Sequence, residues 1–188
     1  MYIKRATTPK TILFYYNRDT LFNDVSLMSN YMCKNLSTKD GNSLTDDYSI
    51  SDDDEKLVEV SIRAALPDIY EAMTKITYSV SSAFDDSVEE AGSTSGTTIG
   101  SESSVSIPAG NYVEFTLLDN QSYNQNVIPM VDASLYNCIQ YGTLKEVYST
   151  IAQPEFLKLC EEGFVSELFK LKQRLFQLKK KSVSSQLT

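Results

Sequence analysis

The sequence predicts a mainly α-helical protein. The expected fold is a four-helix core with a small antiparallel β-hairpin or sheet inserted between helices two and three, an extended N-terminal arm and a basic C-terminal helix. Three observations lead there. Leu157, Cys160, Phe164, Leu168, Leu171, Leu175 and Leu178 recur at steps of three or four, which lines one face of a helix. Val131, Leu135, Cys138 or Ile139, Gly142, Val147 and Ile151 do much the same, and Gln153-Pro154 separates the two runs. Proline suits a first helical turn because the amide it lacks would be unpaired there, so a helical hairpin is expected. Between about 77 and 118 the pattern changes to apolar residues alternating with small polar ones, the mark of half-buried strands. The expected organisation is an arm over 1–16, one domain over 17–181 carrying the β-insertion, and a tail over 182–188.

The arm holds Lys4, Arg5, Pro9 and Lys10, then the run Ile12-Leu13-Phe14-Tyr15-Tyr16. It reads as an extended segment with an anchoring end, which packs either on a neighbouring subunit or on its own domain. Asp19 is the expected N-cap of a first helix over about 20–36, ended by Lys39-Asp40-Gly41-Asn42. Its apolar face is Leu21 or Phe22, Val25, Met28 or Ser29, Met32 and Leu36. Residues 38–52 form an acidic loop whose aspartates lack the ligand register of a calcium loop. Ser51 and Asp54 approximate a capping box for a second helix over about 52–76. Its first turn is acidic, as the helix dipole favours, and Pro67 is expected to kink it.

Tyr78, Val80 and Phe84 begin the insertion, and residues 85–104 are rich in Ser, Thr, Gly and acids with little to bury. This stretch reads as a loop or hairpin tip, and either as a disordered insertion or as a β-arm reaching over a neighbour. Val105-Ser106-Ile107 and Tyr112 to Leu118 are expected strands, with Pro108-Ala109-Gly110-Asn111 turning between them.

Composition narrows function. Hydrophobic residues make up 41% of 188, ordinary for a folded protein. No apolar run approaches the roughly 18–20 residues that span a bilayer, and no secretory apolar region follows Met1, so an intracellular, soluble protein without membrane contact is expected. There is no histidine, which removes imidazole acid–base work, Ser-His-Asp and Cys-His nucleophiles and most zinc sites. The three cysteines, Cys33, Cys138 and Cys160, fall on apolar helix faces and read as buried thiols. Gly92, Gly96 and Gly100 match no phosphate loop. Carboxylates are plentiful, but nothing singles out a catalytic pair. No catalytic, cofactor-binding or metal-ligating residue is assigned, and an enzyme is not expected.

Charge points elsewhere. The net charge is −8, yet from Glu167 onward six basic residues stand against one acid. Lys170, Lys172, Arg174, Lys179, Lys180 and Lys181 form the candidate docking patch for an acidic protein surface. The plainer reading is a solvated helix end whose cations suit the negative pole of the dipole. The candidate subunit contacts are Tyr15, Tyr16, Val105, Ile107, Tyr112 and Phe115.

Three segments together carry a resemblance. Asn17-Arg18-Asp19-Thr20-Leu21-Phe22-Asn23-Asp24-Val25 leads through an acidic loop to a helix ending Pro67-Asp68-Ile69-Tyr70-Glu71-Ala72-Met73. The strand Asn111-Tyr112-Val113-Glu114-Phe115-Thr116-Leu117 and a loop with Asn124 and Asn126 follow. Ile128-Pro129 then opens a helix with Tyr141 and Tyr148 before the Lys/Arg-rich last helix. Over about 17–180 this arrangement resembles the head-to-tail connector, or head-completion adaptor, proteins of tailed bacteriophages, including the neck rings of crAss-like phages of Bacteroidales. The resemblance implies a virion structural protein made in the host cytoplasm. It implies a homo-oligomer, commonly a dodecameric ring, that joins the portal protein to tail or other neck proteins and extends the channel for passing DNA without sequence-specific contact. The alternatives are a tail-completion or accessory virion protein, or a monomeric cytoplasmic adaptor whose groove accepts a partner helix.

Overall fold

A computed structural model describes residues 2–7, 10–35, 48–75, 80–84, 112–119 and 123–179. Four helices carry most of it: α1 (Arg18–Asn35), α2 (Glu55–Thr74), α3 (Ile128–Thr150) and α4 (Pro154–Lys179). The strands are β1 (Tyr2–Thr7), β2 (Lys10–Asn17), β3 (Val80–Phe84) and β4 (Tyr112–Asp119), all antiparallel in the order β1-β2-β4-β3. The expected Val105–Ile107 strand and the 85–104 loop lie outside the described residues.

The N-terminal segment is extended, as expected, but it is paired within its own chain. Ile12, Phe14 and Tyr16 stand opposite Leu117, Phe115 and Val113, and all six are buried. Side chains two apart on a strand share a face, so these six make the inner face of the sheet. The Tyr16 hydroxyl reaches α3, donating to Asp132 Oδ1 at 2.7 Å.

The cap of α1 is Asn17 rather than Asp19: its Oδ1 accepts the Thr20 amide at 3.0 Å. The chain leaves β2 one residue before the helix, so the last strand residue is already placed to cap it. The approach to α2 is a short 3-10 turn, Asp52–Asp54, in which the Asp54 carboxylate accepts the Ser51 amide at 2.9 Å and its hydroxyl at 3.1 Å. Pro67 lies exposed within α2 without ending it.

α3 is the central helix. It carries only three charged residues, Asp132, Lys145 and Glu146, and buries residues towards α1, α2, α4 and the sheet. A helix apolar nearly all round belongs in a core. Two glycines set how closely it is approached. A methyl at residue 142 would lie 2.9 Å from the Ala65 Cβ and 3.1 Å from the Phe164 ring, so α2, α3 and α4 meet at that point. A methyl at residue 163 would overlap the Tyr141 ring, which lies across α4 there.

The α3–α4 turn closes with paired bonds typical of a helix end. The Gln153 amide donates to Tyr148 O at 3.0 Å and the Ala152 amide to Ser149 O at 3.3 Å. Ala152 sits in the left-handed region, φ 55°, where glycine is usual. At the far end of the hairpin the Asn124 amide donates to Leu178 O at 2.9 Å, tying the last turn of α4 to the entry of α3.

Candidate assembly surfaces

The α4 core seam is Phe156, Cys160, Phe164, Glu167, Leu171, Leu175 and Leu178. The expected Leu157 and Leu168 are only half-buried, displaced by Phe156 and by Glu167, whose carboxylate binds the Lys170 ammonium at 2.7 Å. On the opposite side of the same helix stand Val165 (65% exposed), Phe169 (62%) and Phe176 (59%). Residues 165, 169 and 176 are spaced by four and seven, so they form one stripe, turned about half a revolution from the core seam. Lone exposed apolar residues are ordinary; here three stand in one line along one helix.

Polar residues extend the line. Glu162 is exposed before it, and half-buried Lys172 falls between the two phenylalanines.

The docking patch is divided among different tasks. Lys170 is exposed and paired with Glu167. Arg174 is half-buried, and its Nη1 donates to Met130 O at 2.6 Å and to Ser134 Oγ, so it clamps α4 to α3. Lys179 closes α4, and Lys180 and Lys181 lie outside the described residues.

Three of the expected subunit contacts need correction. Tyr15, Tyr16 and Phe115 are 3%, 2% and 0% exposed; Tyr16 and Phe115 lie in this chain's own core, and Tyr15 is buried on the other face of the sheet. Adjacent aromatic residues on a strand point to opposite faces, and sequence alone does not say which face is covered. Tyr112 is placed as the first residue of β4, opposite Asn17, while Val105 and Ile107 lie outside the described residues.

A second apolar edge lies on α1. Leu27 (54% exposed) and Tyr31 (59%) face outward, with Lys34 Nζ 6.0 Å from the Tyr31 ring centre. They border a groove of about 390 Å³ lined by Asp24, Leu27, Met28, Tyr31, Met32 and Gln140. Asp24 accepts the Tyr136 hydroxyl from α3, which fixes the acid end of this edge.

The buried polar groups pair with one another in the core. Tyr16 and Asp132 pair inside the core, and burial followed by the adjacent carboxylate pushes the Tyr16 hydroxyl well above the ordinary phenol range. Burial likewise raises the Asp132 carboxyl, although the Tyr16 hydrogen bond pulls the other way. Burial pushes the Cys138 and Cys160 thiols up to about 12, making them poor nucleophiles at neutral pH. Among the described residues no three His, Cys, Asp or Glu side chains gather as a metal site, and no helix is long and apolar enough to cross a membrane.

The sequence reading missed Val165, Phe169, Phe176, Leu27 and Tyr31. Their signal was a second periodicity in α4 and α1, out of phase with the core seam and masked by it. No family model, curated protein sequence or solved structure matches the chain.

Proposed function

We propose that this chain is a structural protein of a tailed-phage virion, a subunit of a neck ring that joins the portal to the tail and continues the DNA channel. The observation that carries the self-associating part is the exposed α4 stripe Val165, Phe169 and Phe176. Each of these side chains leaves most of its apolar surface in water in the isolated chain. Covering such surface is favourable by about 25 cal/mol per Å², so a subunit surface is the natural account of the stripe. The virion part rests on the sequence resemblance alone.

Division of labour follows from placement. Lys170 before the Arg174 clamp and Lys179, Lys180 and Lys181 after it in the sequence would meet an acidic neighbour such as the portal. The insertion expected from the sequence over about 77–118 would touch a neighbour or the channel wall. The net charge of −8 would keep DNA phosphates from sticking to the lining, an effect that reaches about 8 Å in physiological salt. The reading is tested by sedimentation of the full chain, alone and mixed with the portal protein of the same virion. A discrete multimer, or a stable complex on the portal, is the expected result. A chain that remains monomeric in both settings overturns it.

A further inference from the structure

We infer that subunits join head to tail, the α4 stripe of one copy lying antiparallel on the α1 edge of the next. This deepens the ring reading and rests on it for the closed form only. The two surfaces match in length, spacing and charge.

On α1 the edge is Thr20, Asp24, Leu27, Tyr31 and Lys34, all exposed but Asp24, which is half-buried and holds the Tyr136 hydroxyl; on α4 the stripe is Glu162, Val165, Phe169, Lys172 and Phe176, all exposed but the half-buried Lys172. Read backwards along α1, the steps are three, four, three and four, and read forwards along α4 they are the same. Each series covers roughly 21 Å at a helical rise of about 1.5 Å per residue. That alternation is the spacing with which two helices keep a shared seam.

Antiparallel packing sets one register. Lys34 faces Glu162, Tyr31 faces Val165, Leu27 faces Phe169, Asp24 faces Lys172 and Thr20 faces Phe176. Apolar side chains then occupy the centre, opposite charges meet on both sides of it, and no like charges oppose one another in the series. The parallel arrangement aligns Lys34 with Phe176 and Asp24 with Val165, and loses both ion pairs. The groove beside Leu27 and Tyr31, floored by Met28 and Met32, receives the ring of Phe169; methionine adapts well to such an insert.

Because the two surfaces differ, the contact is heterologous. Such a contact leaves a free stripe on one end and a free edge on the other, so it propagates, into a ring where the rotation closes and into an open chain where it does not. The competing occupant is a second α4 in a two-fold pair, which would set Glu162 against Lys179. That arrangement uses only α4 and stops at a dimer.

The test uses the full chain with Leu27→Asp and Phe169→Asp. Both positions are exposed, and far-UV circular dichroism is the check that each variant folds. Each alone should fall to monomer, its self-association weakened roughly 30-fold or more, as for a central apolar contact. Mixed, they should form one-to-one heterodimers, since each supplies the surface the other lacks. Assembly of Leu27→Asp like wild type, or a mixture that stays monomeric, overturns the inference. A second pair is independent of apolar packing. Lys34→Glu and Glu162→Lys should each weaken association about tenfold, and the double variant should recover it. Recovery in Glu162→Lys with Lys179→Glu instead would assign the two-fold pair and sink the head-to-tail contact. Rings that survive Leu27→Asp end this contact but not the ring reading. Open chains that form through Leu27 and Phe169 without closing do the reverse.

Discussion

Substitution of Gly142 probes the packing on which both surfaces depend, because it lies where three helices meet. Alanine in place of glycine gains about 1 kcal/mol of helix propensity. Against this, the new methyl would lie 2.9 Å from the Ala65 Cβ, where ordinary contact begins at 3.4 Å. The Phe164 ring, 3.1 Å away, can rotate, but a Cβ fixed to the α2 backbone can yield only if the helices separate. Overpacking of this kind costs about 1–3 kcal/mol, so Gly142→Ala should lose about 0–2 kcal/mol net. Gly142→Val adds two more methyl groups and a stiff β-branch, and should lose more than about 3 kcal/mol. Ala65→Gly removes the atom struck, so combining it with Gly142→Ala should recover about 1 kcal/mol beyond the sum of the single changes. Urea unfolding followed by far-UV circular dichroism reads all four, and suits a chain without tryptophan. A valine variant as stable as wild type, or no coupling between 65 and 142, would refute this account of the helix crossing.

Other outcomes follow from single contacts. Ala152→Gly should raise stability by about 0.5 kcal/mol, since it relieves a left-handed alanine but frees the unfolded chain; a loss in thermal unfolding would show that the turn is not strained. Tyr148→Phe should cost about 1–2 kcal/mol by removing the hydroxyl bonded to Ser29 Oγ at 2.8 Å while keeping the ring stacked on Phe156; an unchanged urea midpoint would count against that buried bond. Asp132 has a raised carboxyl, so the fold favours its protonated form. That stability is complete below the ordinary carboxyl value and is lost as pH rises through the raised one, so wild type should lose ground to Asp132→Asn as pH increases from about 4. Parallel pH profiles would contradict this. Replacing Lys179, Lys180 and Lys181 with Glu should abolish binding to an acidic partner at low salt without changing the fold; unaltered binding in a pull-down would leave these lysines as a solvated helix end.

Much of the helical frame was legible because each helix shows a simple rule. The α4 seam from Cys160 to Leu178 announces itself through period, and Gln153-Pro154 marks its start. The central role of α3 was readable in principle from the scarcity of charge over 128–150. Strand placement was less legible. Lys10 to Asn17 pairs with residues about a hundred positions later, and local sequence carries no record of a partner so distant. The same limit sent Tyr15, Tyr16 and Phe115 outward on paper, whereas the sheet buries them. Arg174 read as part of a basic surface because charge was counted by position, while its guanidinium is held by Met130 and Ser134. The outer stripe of α4 was hidden in plain view: an aromatic between two core leucines looks like core until the seam is fixed by the neighbours.

The most direct measurement is an image of the native particle with this chain tagged. The account predicts a ring of copies around a central opening, between the capsid portal and the tail. Absence of the chain from purified particles, or a single isolated copy on each, would contradict it.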